Sequence, residues 1–198
     1  LGFQDGYRGL MFDDAREMKP ADFSGILTVG GTILGTSRQP FKQVRQPLDP
    51  DRTDGPDKLT AMIQTCEKRQ LDCLVVLGGN GTHKTANLLC QAGVPVISLP
   101  KTIDNDLWGT DVTFGFQSAV DIATAVIDGI HTTATSHGRV FIIELMGNKA
   151  GWLTLHAGLA GGSDVILIPE IPYRIDAVIA ALENRQKKQK RFSIITIA

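Results

Sequence analysis

Short, continuously apolar runs alternate along this chain with longer segments whose apolar residues recur every three or four positions. Each run has the length of a buried strand. Continuous apolar strands that alternate with helices are typical of parallel sheets covered on both faces. The pattern therefore predicts an α/β fold, a three-layer, Rossmann-like parallel sheet followed by the start of a second α/β domain. The predicted strands cover residues 73–77, 95–99, 139–145, 165–168 and 192–198.

The segments between the runs have the periodicity of amphipathic helices. The clearest covers residues 114–132, where Phe116, Val120 and Ile127 fall on one apolar stripe. Asp57 is expected to cap the helix that precedes the first long strand. Further helices are predicted over residues 82–91, 152–160 and 175–188.

Composition narrows the classes of function. The 198 residues are 42% hydrophobic and 21% charged, with a net charge of −1, which favours neither nucleic acid nor a membrane surface as a partner. The three cysteines form no CxxC pair, as expected in a reducing compartment such as the cytoplasm. The chain begins at Leu1 and ends in a strand-like run, so we expect both of its domains to be incomplete.

The segment that follows the 95–99 run concentrates chemistry in six consecutive residues, Lys101 to Asp106. Open α/β sheets bind their ligands at the ends of such strands. Asp104 can accept a proton from an attacking hydroxyl while Asp106 orients that base or a metal. Thr102 and Lys101 can contact the transferring phosphoryl group. The alternative is an ordinary Asx turn with a solvated lysine.

A second loop, residues 78–82, combines three glycines with Asn80 and Thr82. Glycines allow positive φ angles and a close approach to a ligand, and the helix that follows directs its free N–H groups at the same point. The loop therefore favours a phosphate chain, with a simple strand-to-helix turn as the alternative. Arg38 could fork onto a phosphate, although a structural role fits it equally well. The four histidines have no metal-ligand spacing and are interpreted as structural.

These motifs together resemble the 6-phosphofructokinase family. Residues 100–106 resemble its catalytic loop, residues 78–82 its nucleotide-phosphate loop, and residues 144–147 its sugar-phosphate loop. The helix start at 113–119 and the N-terminal segments 5–7 and 30–38 also match, so the likeness covers essentially the whole chain. NAD kinases and lipid kinases share only the glycine loop.

The resemblance implies an enzyme of glycolysis that transfers a phosphoryl group from ATP to the 1-hydroxyl of fructose 6-phosphate, with Mg²⁺. It also implies a homo-oligomer, a dimer or tetramer, with residues 1–136 as the donor-phosphate domain and 137–198 as part of the sugar-phosphate domain. Asp104 would be the base, assisted by Asp106, Thr102 and Lys101. The implied donor-binding residues are Tyr7, Arg38, Gly78, Gly79, Asn80, Gly81 and Thr82. The implied sugar-binding residues are Thr102, Ile103, Asp104, Arg139 (reaching a neighbouring subunit), Met146, Gly147 and Asn148.

Two positions depart from the family pattern. Asn80 stands where the family usually has a Mg²⁺-binding aspartate, so the metal would depend on Asn80 and Asp106 and its affinity should fall. Asn148 stands where an arginine commonly steadies the phosphoryl group, and the adjacent Lys149 offers only a point charge. The family's first glycine-rich strand loop and its C-terminal basic residues for the sugar phosphate do not occur in the chain.

The phosphoryl donor follows from two further positions. In the family, pyrophosphate users tend to have an aspartate at the position of Gly81 and a lysine at that of Lys101. This chain combines Gly81 with Lys101, and the bare glycine leaves room for an α-phosphate, which favours ATP over pyrophosphate. Three alternatives stay open: a pyrophosphate-dependent enzyme, a kinase for NAD or lipid, and a catalytically weak regulatory paralogue that binds nucleotide or sugar phosphate.

Overall fold

The computed structural model describes residues 1–51, 54–147 and 149–198. They form two compact units, Leu1–Leu99 and Pro100–Ala198. The strands of the described residues are β1 (Gly2–Phe3), β2 (Ala15–Arg16), β3 (Leu74–Gly78), β4 (Val96–Pro100), β5 (Val140–Glu144), β6 (Val165–Leu167) and β7 (Ser193–Ile197). The α-helices are α1 (Tyr7–Phe12), α2 (Lys58–Lys68), α3 (Asn80–Gln91), α4 (Phe116–His137), α5 (Trp152–Ala160) and α6 (Ile175–Lys187).

The first unit packs helices α1 and α2 around a core that includes Leu10, Leu59 and Met62, all fully buried. Strand β1 pairs antiparallel with β2, and β3 is hydrogen-bonded to β4. Asp57 caps α2 as predicted, because its carboxylate accepts from the backbone N–H of Thr60 at 2.6 Å. The capped helix thereby presents its apolar face to the core.

The second unit is an α/β arrangement built on a parallel sheet of strand order β5-β7-β6. Helix α4 buries its predicted stripe against α5 and the sheet. Helix α5 lies close to one face, since a Cβ on Gly158 would sit 2.6 Å from Oγ1 of Thr196. Val165 and Leu167 pair with the residues of β7 on either side of Thr196. Both line a cleft together with residues of α6. The parallel strands that alternate with helices confirm the predicted α/β fold class.

The two compact units divide the chain at a different place from the boundary expected near residue 136. The division falls between Leu99 and Pro100, within β4. The reason is the packing of α4, whose residues Phe116, Val120 and Ile127 belong to the same core as α5 and β7. Which unit binds the donor and which the sugar stays a prediction. None of the helices in the described ranges is long and apolar enough to cross a membrane.

The basic segment at the end of α6 contains one residue whose side chain is bound to the rest of the unit. Arg185 forms an ion pair with Asp164 at 2.8 Å. Its guanidinium also donates to the hydroxyl of Ser193 at 2.9 Å and to the carbonyl of Phe192 at 3.1 Å. These bonds attach the last turn of α6 to β7 within the second unit.

Candidate active site

The glycine loop leads directly from β3 into α3. Helix α3 begins at Asn80, two residues earlier than predicted, so Asn80, Gly81 and Thr82 form its first turn. Positive φ angles are not the reason for these glycines, because the left-handed glycines of the described residues include neither Gly78 nor Gly81, and Gly79 has φ −93°. Gly78 is required instead by packing, since a Cβ there would overlap the side chain of Thr82.

Gly81 differs from Gly78 in its surroundings. A Cβ added to Gly81 would meet no other atom within 4 Å. The space beside this residue is therefore open to a ligand. A Cβ at this position would extend into open space.

The N-terminus of α3 has the features of an anion site. No side chain caps it, and the first helical bond runs from the N–H of His83 to the carbonyl of Gly79 at 3.1 Å. Nε2 of His83 donates to the carbonyl of Gly78 at 2.9 Å and holds the end of β3 against the helix. Backbone N–H groups and the positive end of the dipole together favour a phosphate at such a terminus.

Tyr7, at the start of α1, is attached to the same turn. Its hydroxyl donates to the carbonyl of Thr82 at 2.8 Å. Burial raises the pKa of the Tyr7 phenol, so the group stays protonated and remains a donor. The hydroxyl thus fixes the first turn of α3, and contact of Tyr7 with a phosphoryl donor stays a prediction.

Arg38 follows a turn that is fastened to Asp5. The N–H of Asp5 donates to the carbonyl of Leu34 at 2.7 Å, and the Ser37 hydroxyl donates to the Asp5 carbonyl at 2.6 Å. Gly35 takes φ +74° at this turn, and a Cβ there would overlap the Asp5 carboxylate. Arg38 is exposed, and no hydrogen bond or ion pair of the described residues engages its guanidinium. The arginine is therefore available to an anion.

The acidic loop of the second unit, residues 101–113, is closed at its neck by backbone hydrogen bonds. The N–H of Thr102 donates to the carbonyl of Phe114 at 3.1 Å, and the N–H of Phe114 donates to the carbonyl of Pro100 at 2.8 Å. Lys101, at the start of the loop, is exposed, and Ile103 packs against the core of the unit. The neck fixes where the reactive residues leave and rejoin the fold.

Asp104 is half-buried in this loop. Its backbone N–H donates to Oγ1 of Thr102 at 3.2 Å. Burial raises the pKa of the Asp104 carboxyl above its usual range, and the neighbouring charge of Asp106 raises it further, against a smaller opposing effect from Thr102. A carboxylate in this state has a higher proton affinity than a solvated aspartate, which suits a proton acceptor.

Two residues that sequence reasoning did not assign to the site hold the loop together. Oδ1 of Asn105 accepts from the backbone N–H of Thr113 at 2.9 Å, and Nδ2 donates to the carbonyl of Asp111 at 3.4 Å. The Thr113 hydroxyl donates to the carbonyl of Thr102 at 2.7 Å. The one sequence signal was an asparagine between two acids, a residue type that favours turns.

The residues expected to bind the sugar phosphate lie in the same unit. Met146 follows β5 and is 67% exposed, whereas Gly147 is confined, with a Cβ position 2.7 Å from the carbonyl oxygen of Ala150. Arg139 is exposed just before β5. Asn148 lies outside the described residues. Sugar binding by this set stays a prediction.

The described residues contain no group of three or more His, Cys, Asp or Glu side chains that could hold a metal ion. Mg²⁺ needs no such group, because it commonly binds one or two carboxylates together with substrate phosphates and water. The exposed carboxylate of Asp106 fits that mode of binding.

A glycine loop that opens a helix and an acid-rich loop at the end of a strand are each features found in α/β proteins that bind phosphate groups. Comparison with known proteins identifies the family. The sequence model of the phosphofructokinase family matches residues 1–198, and the chain belongs to that family.

Two curated relatives illustrate the match. The chain is 61% identical to an ATP-dependent 6-phosphofructokinase of Spirochaeta thermophila over 199 residues, which is 100% of this chain and 54% of the relative. It is 49% identical to ATP-dependent 6-phosphofructokinase 3 of Bacteroides thetaiotaomicron, covering 57% of that protein. The chain thus spans about half the length of the curated relatives it matches.

Solved structures agree on the fold. The phosphofructokinase of Saccharomyces cerevisiae superimposes with a TM-score of 0.85 at 29% identity, over 98% of this chain and 29% of the other. A pyrophosphate-dependent phosphofructokinase of Nitrosospira multiformis superimposes with a TM-score of 0.80 at 22% identity, over 98% and 50%. At that identity the second likeness concerns the fold alone.

Proposed function

We propose that the protein transfers a phosphoryl group from ATP to the 1-hydroxyl of fructose 6-phosphate, giving fructose 1,6-bisphosphate and ADP in glycolysis. Membership of the phosphofructokinase family and the names of the two curated relatives support this activity. The observation that carries it is the geometry of the acidic loop, which holds the half-buried Asp104 beside the Thr102 hydroxyl and two residues from Asp106.

The reaction begins when the sugar's 1-hydroxyl attacks the terminal phosphorus of the donor. Asp104 accepts the hydroxyl proton as the new O–P bond forms and the bond to the leaving phosphate breaks. Thr102 donates a hydrogen bond to the transferring phosphoryl group from its hydroxyl. Lys101, exposed at the start of the same loop, neutralises charge that builds on the phosphoryl oxygens.

Asp106 and Asn80 are the proposed Mg²⁺ ligands. Their carboxylate and amide oxygens are hard donors of the kind that Mg²⁺ prefers. When bound, Mg²⁺ neutralises phosphate charge and orients the donor. An amide at residue 80 brings no negative charge, so the enzyme should need more Mg²⁺ than one with a carboxylate there.

The donor is proposed to lie at the N-terminus of α3. The first-turn N–H groups receive its phosphates, and Arg38 adds a bidentate cation. The open space beside Gly81 is the observation that favours ATP, since no side chain there obstructs an α-phosphate. Lys101, which is exposed, favours the alternative donor, pyrophosphate, because pyrophosphate users of the family tend to have a lysine at this position.

The sugar phosphate is proposed to contact Arg139, Met146 and Gly147, with Ile103 in the same pocket. Arg139 would act on a neighbouring subunit's sugar, which makes a homo-oligomer, a dimer or tetramer, part of the proposal. The cytoplasm is the proposed location, as the substrates of glycolysis are found there.

The test is a coupled assay with the full-length protein. ATP and pyrophosphate are compared as donors, and fructose 6-phosphate, NAD and a lipid alcohol as acceptors. We expect turnover with ATP and fructose 6-phosphate only. Phosphorylation of NAD or of the lipid alcohol would refute fructose 6-phosphate as the acceptor. Tight binding of ATP or fructose 6-phosphate without turnover would establish the regulatory alternative.

A further inference from the structure

The acidic loop contains further internal hydrogen bonds besides the two backbone bonds that close its neck. Beyond the neck, three bonds link its outgoing arm, Thr102 to Asn105, with its returning arm, Asp111 to Thr113. All three involve Asn105 or Thr113. These two residues are outside the set that acts on donor or sugar in the proposed mechanism.

Thr113 holds the outgoing arm at two points. Its hydroxyl donates to the carbonyl of Thr102 at 2.7 Å, and its backbone N–H donates to Oδ1 of Asn105 at 2.9 Å. Thr113 is only 3% exposed, so it is a fixed part of the interior. Asp104 lies between the two residues that Thr113 holds, and its own N–H donates to Oγ1 of Thr102.

Asn105 meets two requirements at once. It takes a left-handed backbone conformation, φ +51°, which most side chains disfavour and asparagine tolerates. Its amide also supplies an acceptor for Thr113 and a donor for Asp111. Glycine would satisfy only the first requirement, and a β-branched residue neither.

We propose that Asn105 and Thr113 are positioning residues that fix Asp104 for the reaction. They act through the backbone on either side of Asp104 and touch neither substrate. The inference rests on the proposed function, because it names Asp104 as the group whose placement matters. A misplacement of about 1 Å at a reacting group can lower the rate on the order of 10²-fold, so small changes in this clamp should be visible in turnover.

The first variant is Asn105→Gly in the full-length protein, which keeps the left-handed backbone and removes the amide. We expect kcat to fall between about 10-fold and 10²-fold with KM for both substrates little changed. The matched control is Gln70→Gly, which removes an exposed side chain at another left-handed position, φ +50°, in the first unit. Its kcat should equal that of the wild type.

A second pair tests the clamp from the buried side. Thr113→Val keeps the shape of the side chain and removes the hydroxyl, and kcat should fall. Thr113→Ser keeps the hydroxyl, and kcat should return close to the wild-type value. This pair decides the question if Asn105→Gly proves too unstable to assay.

Asn105→Gly is made both in the wild-type protein and in an Asp104→Asn protein. Comparing the two losses of kcat separates the positioning of Asp104 from a general loss of stability. In an Asp104→Asn protein the base is already absent, so removal of the Asn105 amide should lower the remaining rate little. Equal losses in the two backgrounds, or wild-type kcat for both Asn105→Gly and Thr113→Val, would overturn the inference alone. A wild-type protein that does not phosphorylate fructose 6-phosphate would overturn the proposed function and this inference with it.

Discussion

Gly81 provides the sharpest test of the donor, because a side chain there would meet the ligand and not the protein. We predict that Gly81→Asp selectively impairs the use of ATP. The substitution causes no overlap, since a Cβ at this position has no neighbour within 4 Å. Residue 81 lies in the first turn of α3, where an acidic side chain stabilises a helix by about 0.3–1 kcal/mol. Thermal melting should therefore show an unchanged or slightly raised Tm.

The expected size follows from the charge. A carboxylate about 5 Å from a phosphate charge, at an effective dielectric constant of about 20, costs about 3 kcal/mol, which is on the order of 10²-fold in kcat/KM. Pyrophosphate lacks the α-phosphate and nucleoside that pass this residue, so its kcat/KM should fall much less. Gly81→Asn has nearly the same volume without the charge and should lose far less than Gly81→Asp.

The assay compares kcat/KM for ATP and for pyrophosphate across a Mg²⁺ titration, with wild type and both variants. Equal losses for the two donors would refute the assignment of the open space to the α-phosphate. A wild-type protein that already prefers pyrophosphate by about tenfold, about 1.4 kcal/mol, would refute ATP as the donor. Lys101 would then be the better guide to the donor than Gly81.

Three further predictions concern stability. Gly78→Ala should lower the free energy of unfolding by about 1–3 kcal/mol in urea titrations, because its Cβ overlaps the Thr82 side chain. Tyr7→Phe should lower it by about 1 kcal/mol, because the Thr82 carbonyl loses its donor. Asp13→Asn should destabilise the fold most near neutral pH. Hydrogen bonds from Arg69 and its neighbouring lysine stabilise the ionised carboxylate and hold the pKa of Asp13 below its usual range. The stabilisation is therefore present above the ordinary aspartate pKa and is lost as the pH falls through the folded value.

Each of these predictions has a contradicting outcome. Gly81→Ala is the control for Gly78→Ala, and equal effects of the two on the free energy of unfolding would show that the overlap with Thr82 is not responsible. A Tyr7→Phe protein with unchanged unfolding free energy would show that water replaces the hydroxyl. For Asp13→Asn, a difference from wild type that stays constant from pH 7 down to about pH 2, well below the ordinary aspartate pKa, would rule out the ionised carboxyl as its source.

The sequence predicted those structural features that a local pattern of residues marks. The stripe on α4 and the Asp57 cap of α2 are local patterns, and both occur where the sequence placed them. The division of the chain could not be predicted in this way. It depends on which core α4 joins, and that is decided by packing against α5 and β7, far along the sequence.

Residue types indicated where the loops of the candidate site lie but not which contacts form within them. Glycines and acids identified the two loops, yet the reason for Gly78 is its overlap with Thr82 and not a left-handed backbone. Asn105 and Thr113 are eight residues apart in an irregular segment. No periodic pattern marks such a pair, so its hydrogen bond becomes apparent only when the loop is folded.

The most direct test of the account is the turnover of Asp104→Asn in the full-length protein with ATP, Mg²⁺ and fructose 6-phosphate. The amide is nearly isosteric but cannot accept the hydroxyl proton, so kcat should fall by at least about 10²-fold. Calorimetric titration should show near-normal affinity for both substrates, which separates lost chemistry from lost binding. A kcat equal to that of the wild type would contradict the assignment of Asp104 as the base.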